Sequence, residues 1–231
     1  MSVARNTLVQ SSLTLASRIL GMVRDILLIA KIGAGPIGDA WATAQQFPNL
    51  FRRIFAEGAF ASAFVPTYAR TLEAEGAEAA RDVAQEALRV LFAATAALTI
   101  VAQIFMPWVL LLIHGGQADD PESYGLAVLL TRITMPYLTF MAIAALLSGV
   151  LNSAERFVLS AGVPTLLNLC LIPAAFVAPD AEGTALAAAM AYFVAGLLQA
   201  GALWWGVNRQ KVRLSLIGWP RLTPAVKKVL K

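Results

Sequence analysis

The sequence predicts an all-α polytopic membrane protein, a six-helix transmembrane bundle, and three observations carry that expectation. The 231 residues are 58% hydrophobic and only 14% charged, against roughly 25% charged in an ordinary soluble domain. Four stretches, Val90–Ile113, Ile133–Leu151, Phe157–Pro179 and Gly183–Asn208, contain no charged residue over 24, 19, 23 and 26 residues. At 1.5 Å per residue each is long enough to cross about 30 Å of hydrocarbon. The third observation is a one-sided distribution of Lys and Arg between the loops, developed below.

Taken in order, the first span covers residues 8–32 and, apart from Lys31 near its end, carries only the charges Arg18, Arg24 and Asp25; the second covers 39–69 and, after Asp39 at its start, carries only Arg52, Arg53 and Glu57. Spans over 88–113, 124–151, 157–179 and 183–208 follow, so that residues 1–208 form one lobe. Short turns rich in Gly, Pro, Asn or Ser near 33–38, 152–156 and 179–183 join antiparallel neighbours. The 70–89 segment, with acids and arginines among alanines, reads as a surface helical continuation of the third span. Residues 209–231 are a basic cytoplasmic linker or an interfacial helix. Leu222, Val226, Val229 and Leu230 fall at i, i+4, i+7 and i+8 there, with Lys227, Lys228 and Lys231 beside them, a pattern suited to anionic lipid.

Six spans place both termini on one side, and the loops agree. Twelve Lys and Arg lie on that side: Arg5, three in 70–89, Arg156, and seven from Arg209 onward. The opposite loops, 114–123 and 179–182, have none, and the 32–38 turn is bordered only by Lys31. The positive-inside rule therefore assigns both ends to the cytoplasm. The net charge of +4 follows from this bias, so it gives no reason to expect nucleic-acid binding. The early arginines, and the lack of a short apolar segment with a small-residue cleavage site, argue against a removable signal peptide.

Several chemistries are set aside. Gly33, Gly35 and Gly38 spell G-x-G-x-x-G, but a membrane span precedes them, Pro36 interrupts them and no βαβ pattern surrounds them, so they read as a tight turn. There is no P-loop. With one cysteine, Cys170, and one histidine, His114, neither a disulfide framework nor a structural zinc site is expected. No catalytic constellation is recognisable, and an enzyme is not expected.

The informative residues are the charges within the spans. An arginine at a bilayer centre costs about 2.5–3.5 kcal/mol on insertion scales, so Arg18, Arg24, Arg52, Arg53 and Arg132 should face protein or a water-filled cavity. On the first span Ser11, Thr14, Arg18, Gly21 and Asp25 recur at helical spacing, flanked by Ser17 and Arg24, with Leu13, Ala16, Leu20, Val23 and Leu27 opposite. Asp39, Gln46, Asn49, Arg53 and Glu57 form a similar row on the second, with Arg52 beside it. Two polar faces thus offer themselves to a common interior. One reading is structural ion pairing, Arg53 with Glu57 at i, i+4 and Asp25 with Arg52 or Arg53. The other is an anion site, because the five arginines outnumber Asp25, Asp39 and Glu57, and guanidinium binds phosphate through two parallel hydrogen bonds.

The segment Ser17-Arg18-Ile19-Leu20-Gly21-Met22-Val23-Arg24-Asp25, then Gly33-Ala34-Gly35 and Asp39-Ala40, and above all Phe47-Pro48-Asn49-Leu50-Phe51-Arg52-Arg53-Ile54-Phe55-Ala56-Glu57-Gly58-Ala59-Phe60 with Ala63-Phe64-Val65-Pro66, resemble the N-terminal signature of the MurJ/MviN lipid II flippases. Pro136-Tyr137, Leu151-Asn152 and Pro164-Thr165-Leu166-Leu167-Asn168 extend the resemblance over essentially the whole chain. It implies the first of two six-helix lobes that face each other across a central cavity in the bacterial inner membrane. It further implies alternating access, in which lipid II, or a similar polyprenyl-pyrophosphate-linked glycan, moves from the cytoplasmic to the periplasmic leaflet.

By that resemblance Arg18, Arg24 and Arg52 hold the anionic head, and Ser17, Asp25 and Asn49 line or orient the site. Asp39, Arg53 and Glu57 make gating contacts or ion pairs. No cofactor or metal is expected in this chain; coupling to sodium or to the membrane potential would come through a C-terminal lobe beyond Lys231, the partner that supplies the other wall. Pro48, Pro66, Pro107, Pro136, Pro164 and Pro173 are candidate bending points. Two alternatives stay open: an exporter of another polyprenyl-linked sugar or of a drug in the same superfamily, and a non-transporting membrane scaffold.

Overall fold

A computed structural model describes residues 3–56, 59–113, 121–154, 156–221, 223 and 226. Among them the chain is helical throughout its regular structure, with nine helices: α1 (Val3–Ile32), α2 (Pro36–Ala56), α3 (Ala59–Glu75), α4 (Ala77–Ile113), α5 (Pro121–Thr134), α6 (Tyr137–Ser153), α7 (Phe157–Gly162), α8 (Pro164–Ala174) and α9 (Ala181–Arg209). Among the described residues four segments are long and apolar enough to cross a membrane: Ala77–Ile113, Pro121–Ser153, Phe157–Ala174 and Ala181–Arg209. Helices α1 and α2, at 30 and 21 residues, have the length, but their charges set them apart.

The elements differ from the expected spans in physically readable ways. Residues 39–69, expected as one span, are divided between α2 and α3, with 57–58 outside the described residues. The charged 77–89 segment is continuous with the third span, as one 37-residue helix. The fourth span is two helices meeting at Met135–Pro136, and the fifth is two meeting at Val163–Pro164. Of the six prolines only Pro136 and Pro164 stand at such breaks; Pro48, Pro66 and Pro107 lie inside continuing helices, and Pro173 is the second-last residue of α8.

Proline removes an N–H and leaves the carbonyl four residues earlier without its helical donor, and in a membrane that carbonyl must find another. Neighbouring side chains supply it here. Pro48 frees Ala44, whose carbonyl accepts from Thr134 Oγ1 at 3.2 Å. Pro107 frees Gln103, whose carbonyl accepts from Arg132 Nε at 3.0 Å. Pro136 frees Arg132, whose own carbonyl accepts from Gln103 Nε2 at 2.7 Å. Gln103 and Arg132 thus exchange bonds across α4 and α5, and Arg132 faces protein as a carbonyl cap.

Helices α5 and α6 form the centre of the lobe, the most buried of the apolar segments, with α4 on the periphery. Around that centre α2 packs on α5 and α6, α3 and α4 on α6, and α9 on both α6 and α8. The buried face of α9 is made of small residues, Ala185, Ala188, Ala189, Ala195 and Gly196, which lets its backbone approach α6 closely. Asp180 caps α9, accepting from Gly183 N at 3.1 Å. Between α1 and α2 the chain turns at Gly33 and Gly35, with φ of 77° and 110°, and Gly38 sits against the Gly33 carbonyl with no room for a Cβ. The glycine motif is therefore a turn.

After α9 the chain runs to Arg221 without regular structure, as a strap across the charged end of α4. Ser215 N donates to Gln85 Oε1 at 2.8 Å, Arg89 Nη2 to the Ile217 carbonyl at 2.7 Å, and Arg221 N to Glu86 Oε2 at 3.1 Å. Of the expected amphipathic row only Val226, buried, is described; Leu222, Val229 and Leu230 lie outside the described residues.

Candidate functional site

Helix α1 has three faces. Ser17, Gly21, Arg24 and Leu28 turn toward the bundle, where α1 packs on α7, α8 and α9 and touches α2 only sparingly. Leu15, Ile19 and Ile26 are more than half exposed and form an apolar outer face. Between these faces Ser11, Thr14, Arg18 and Asp25 make an exposed polar strip. Leu13, Leu20 and Leu27 are half-buried, while Ala16 and Val23, expected on their side, are exposed.

Helix α2 buries Ala40, Trp41, Ala44 and Phe51 and exposes Asp39, Gln46, Asn49 and Arg53; Arg52 lies half-buried at the border. The polar row expected from spacing is thus the exposed face of α2, opposite the one packed on α5 and α6. Glu57 lies outside the described residues, as does any pair it makes with Arg53.

Within this arrangement Arg24 is the anchored cation. Its Nε and Nη2 donate to Asp25 Oδ1 at 2.9 and 2.7 Å, and its Nη1 donates to Asn168 Oδ1 at 3.0 Å. The Asn168 amide in turn donates through Nδ2 to the Ser17 carbonyl at 2.8 Å. One buried amide on α8 therefore fixes both the guanidinium and the α1 backbone. Asn168 was not expected among the site residues, although it is the one amide in the 157–179 span. Arg24 on α1 and Arg52 on α2 both lie near an aromatic floor made by Tyr137 and Tyr192. In that floor Tyr137 and Tyr192 meet edge to face at 5.5 Å, and Tyr137 donates to Gln199 Oε1 at 3.0 Å.

The structure thus joins Ser17, Arg24 and Asp25 through Asn168 and brings Arg52 toward the same floor. Arg18 stands beside them on the strip, and Asp39, Asn49 and Arg53 occupy the separate face of α2. Toward the other end of α1 a cavity of about 240 Å³ continues the polar surface, with Gln10, Thr14, Ser148, Asn152, Ser160 and Gln199 in its lining. Among the described residues no three His, Cys, Asp or Glu side chains come together. What the site offers is guanidinium, amide and hydroxyl groups beside a half-exposed carboxylate.

Helices of membrane length that bury one face in their own bundle and leave a guanidinium-bearing face open define a polytopic membrane protein with an exposed polar surface. The family model for lipid II flippase MurJ matches residues 29–231. A probable lipid II flippase MurJ of Rhizobium tropici is 40% identical over 238 residues, covering the whole chain and 44% of the relative. The lipid II flippase MurJ of Burkholderia cenocepacia is 40% identical over 200 residues, covering 86% of this chain and 39% of its own length. A solved lipid II flippase MurJ in an inward closed conformation superposes with a TM-score of 0.77 at 25% identity, over 96% of this chain and 46% of that one. The chain belongs to the MurJ lipid II flippase family. It spans less than half the length of these relatives.

Proposed function

We propose that this chain forms the N-terminal half of a flippase that carries lipid II from the cytoplasmic to the periplasmic leaflet of the bacterial inner membrane by alternating access, with both ends of the chain cytoplasmic. The observation that carries the reading is the exposure of the polar faces of α1 and α2 on helices of membrane length. Such faces are costly against lipid and fit a hydrated cavity closed by a second lobe. In this reading Arg18, Arg24 and Arg52 bind the pyrophosphate, Ser17, Asp25 and Asn49 line it, and Asp39, Arg53 and Glu57 serve the gate. The polyprenyl tail stays in lipid, and no bond is made or broken. An inside-negative potential favours outward movement of the anionic head by about 2.3 kcal/mol per charge at 100 mV. Any sodium coupling resides in the second lobe.

The test is the full-length protein in a bacterium depleted of its own flippase. Restored growth, and lipid II accessible to an enzyme added outside, are expected. Growth restored with no externally accessible lipid II would point to a scaffold instead. Orientation is checked separately with single cysteines: Asp180→Cys should react with an impermeant maleimide from outside, and labelling only after the inner membrane is permeabilised would overturn the topology.

Asn168 gives a finer prediction. Asn168→Leu removes a hydrogen bond to a charged group, which is worth about 1.5–3 kcal/mol, and frees Arg24 to swing. Lipid transfer should fall about tenfold or more at unchanged abundance. Asn168→Asp, which keeps an acceptor for Arg24, should retain more activity than Asn168→Leu; the reverse order would remove the positioning role.

A further inference from the structure

The geometry points to a second lipid site on the outside of this lobe, a groove between α7 and α9 that binds an anionic phospholipid of the surrounding membrane. Its cavity is about 820 Å³, within the range of small-molecule pockets. It shares Gln10 and Val163 with the smaller cavity beside α1, but none of Arg18, Arg24 and Arg52 lines it.

The groove has two chemically different ends. At one, Arg156 precedes the first residue of α7 and Arg209 is the last residue of α9, so both guanidinium groups stand at the same end of the bundle. The described lining holds no carboxylate. From Arg209 the wall runs back along α9 through Trp205 to Ala202, roughly 10 Å at the helical rise. Val158 and Leu166 face it from α7 and α8. Val158 and Trp205 are 61% and 54% exposed, which leaves an apolar trough open to the membrane below a cationic rim. The Arg209 guanidinium lies over the Trp205 ring at 4.2 Å, the amphipathic arrangement favoured at a membrane interface.

A ligand complementary to both ends carries an anion at the interface and hydrocarbon toward the midplane. That is the polarity of a phospholipid with a net negative head. The floor is tight and the trough open: a side chain at Gly206 would collide with Leu159, so α9 is pressed against α7 at the floor, whereas Gly162 has nothing within 4 Å. The site requires only that the lobe sits in a bilayer with this end at an interface, and it stands whether or not the chain moves lipid II.

The test uses the purified full-length protein in phosphatidylcholine vesicles containing a minor fraction of dibrominated phosphatidylglycerol or, in the control, dibrominated phosphatidylcholine. The Trp205 signal is taken as the fluorescence lost in Trp205→Phe. Trp205 should be quenched preferentially by the phosphatidylglycerol probe, with enrichment of about fivefold per guanidinium, as expected for basic groups near an anionic bilayer surface. The preference should vanish in the double variant Arg156→Gln/Arg209→Gln and persist in Arg156→Lys/Arg209→Lys, while Gly162→Leu, which fills the trough, should lower quenching by both lipids. Equal quenching by the two probes in the unaltered protein would overturn the proposal without recourse to any variant. A preference that survives the double Gln variant would overturn it equally.

Discussion

Replacing Arg18, Arg24 and Arg52 together by alanine is expected to abolish growth of a flippase-depleted bacterium that depends on the full-length protein, with normal protein abundance. Arg24 is pre-organised by Asp25 and Asn168, so little conformational freedom is lost when an anion arrives. Arg18, exposed on the same helix, and Arg52, near the same tyrosines, supply further donors. Pyrophosphate is recognised by forked guanidinium contacts, and lysine offers a single point of charge. Single Arg→Lys changes should therefore impair transfer, and single Arg→Ala changes should come close to eliminating it. For Arg24 the alanine variant also strands the Asp25 carboxylate, which is half exposed and rehydrates, so stability should change little. Growth with all three arginines absent would refute the anion site and favour a scaffold.

The largest stability effect is expected at Gly196. A Cβ there would lie 2.8 Å from Phe140 Cδ2, 3.0 Å from Phe140 Cβ and 3.0 Å from Tyr137 Cδ2. These rings cannot retreat. Phe140 packs edge to face on Phe193, and Tyr137 is held by Tyr192 and by its hydrogen bond to Gln199. Overpacking of a tight core costs about 1–3 kcal/mol, and separating α9 from α6 would also open the floor beneath Arg24 and Arg52. Gly196→Leu should therefore aggregate or melt well below the unaltered protein in detergent. Gly201→Leu, five residues along the same helix where nothing lies within 4 Å, should not. Equal melting of the two variants would show that the α6–α9 contact is softer than its geometry implies.

The membrane class was legible from charge-free stretches alone, because a span must satisfy length and hydropathy together. The polar rows of α1 and α2 were equally legible, since helical spacing fixes which residues share a face. What that face meets was not. The two helices, read as neighbours around a common interior, scarcely touch, because α1 docks on α7–α9 and α2 on α5–α6. Arg132 is the sharpest case: a cation in a span reads as a site residue, yet its guanidinium caps a carbonyl that a proline on another helix has freed. No local pattern links residue 132 to residue 107. Asn168 was missed for the same reason; an amide in an apolar span signals a partner but not which one. Six prolines were candidate bends, and only position within the packing separated the two at breaks from the three inside continuing helices and the one at the end of α8.

The exchange between Gln103 and Arg132 also bears on how the lobe can move. Packed helices slide past one another readily when their contacts are interchangeable methyl groups, since each new register offers an equivalent fit. Here the bonds end on particular backbone atoms, and a slip of α4 along α5 by one turn would strand two carbonyls in hydrocarbon, each costing several kcal/mol. Shear is thereby closed to this pair, and with Thr134 bound to the Ala44 carbonyl α2 is pinned to the same block. Of the two ways that domains rearrange, hinge and shear, the block of α2, α4 and α5 retains only the first. Its three helices keep one register and move together, and the glycine turn at Gly33 and Gly35 is the joint between that block and α1.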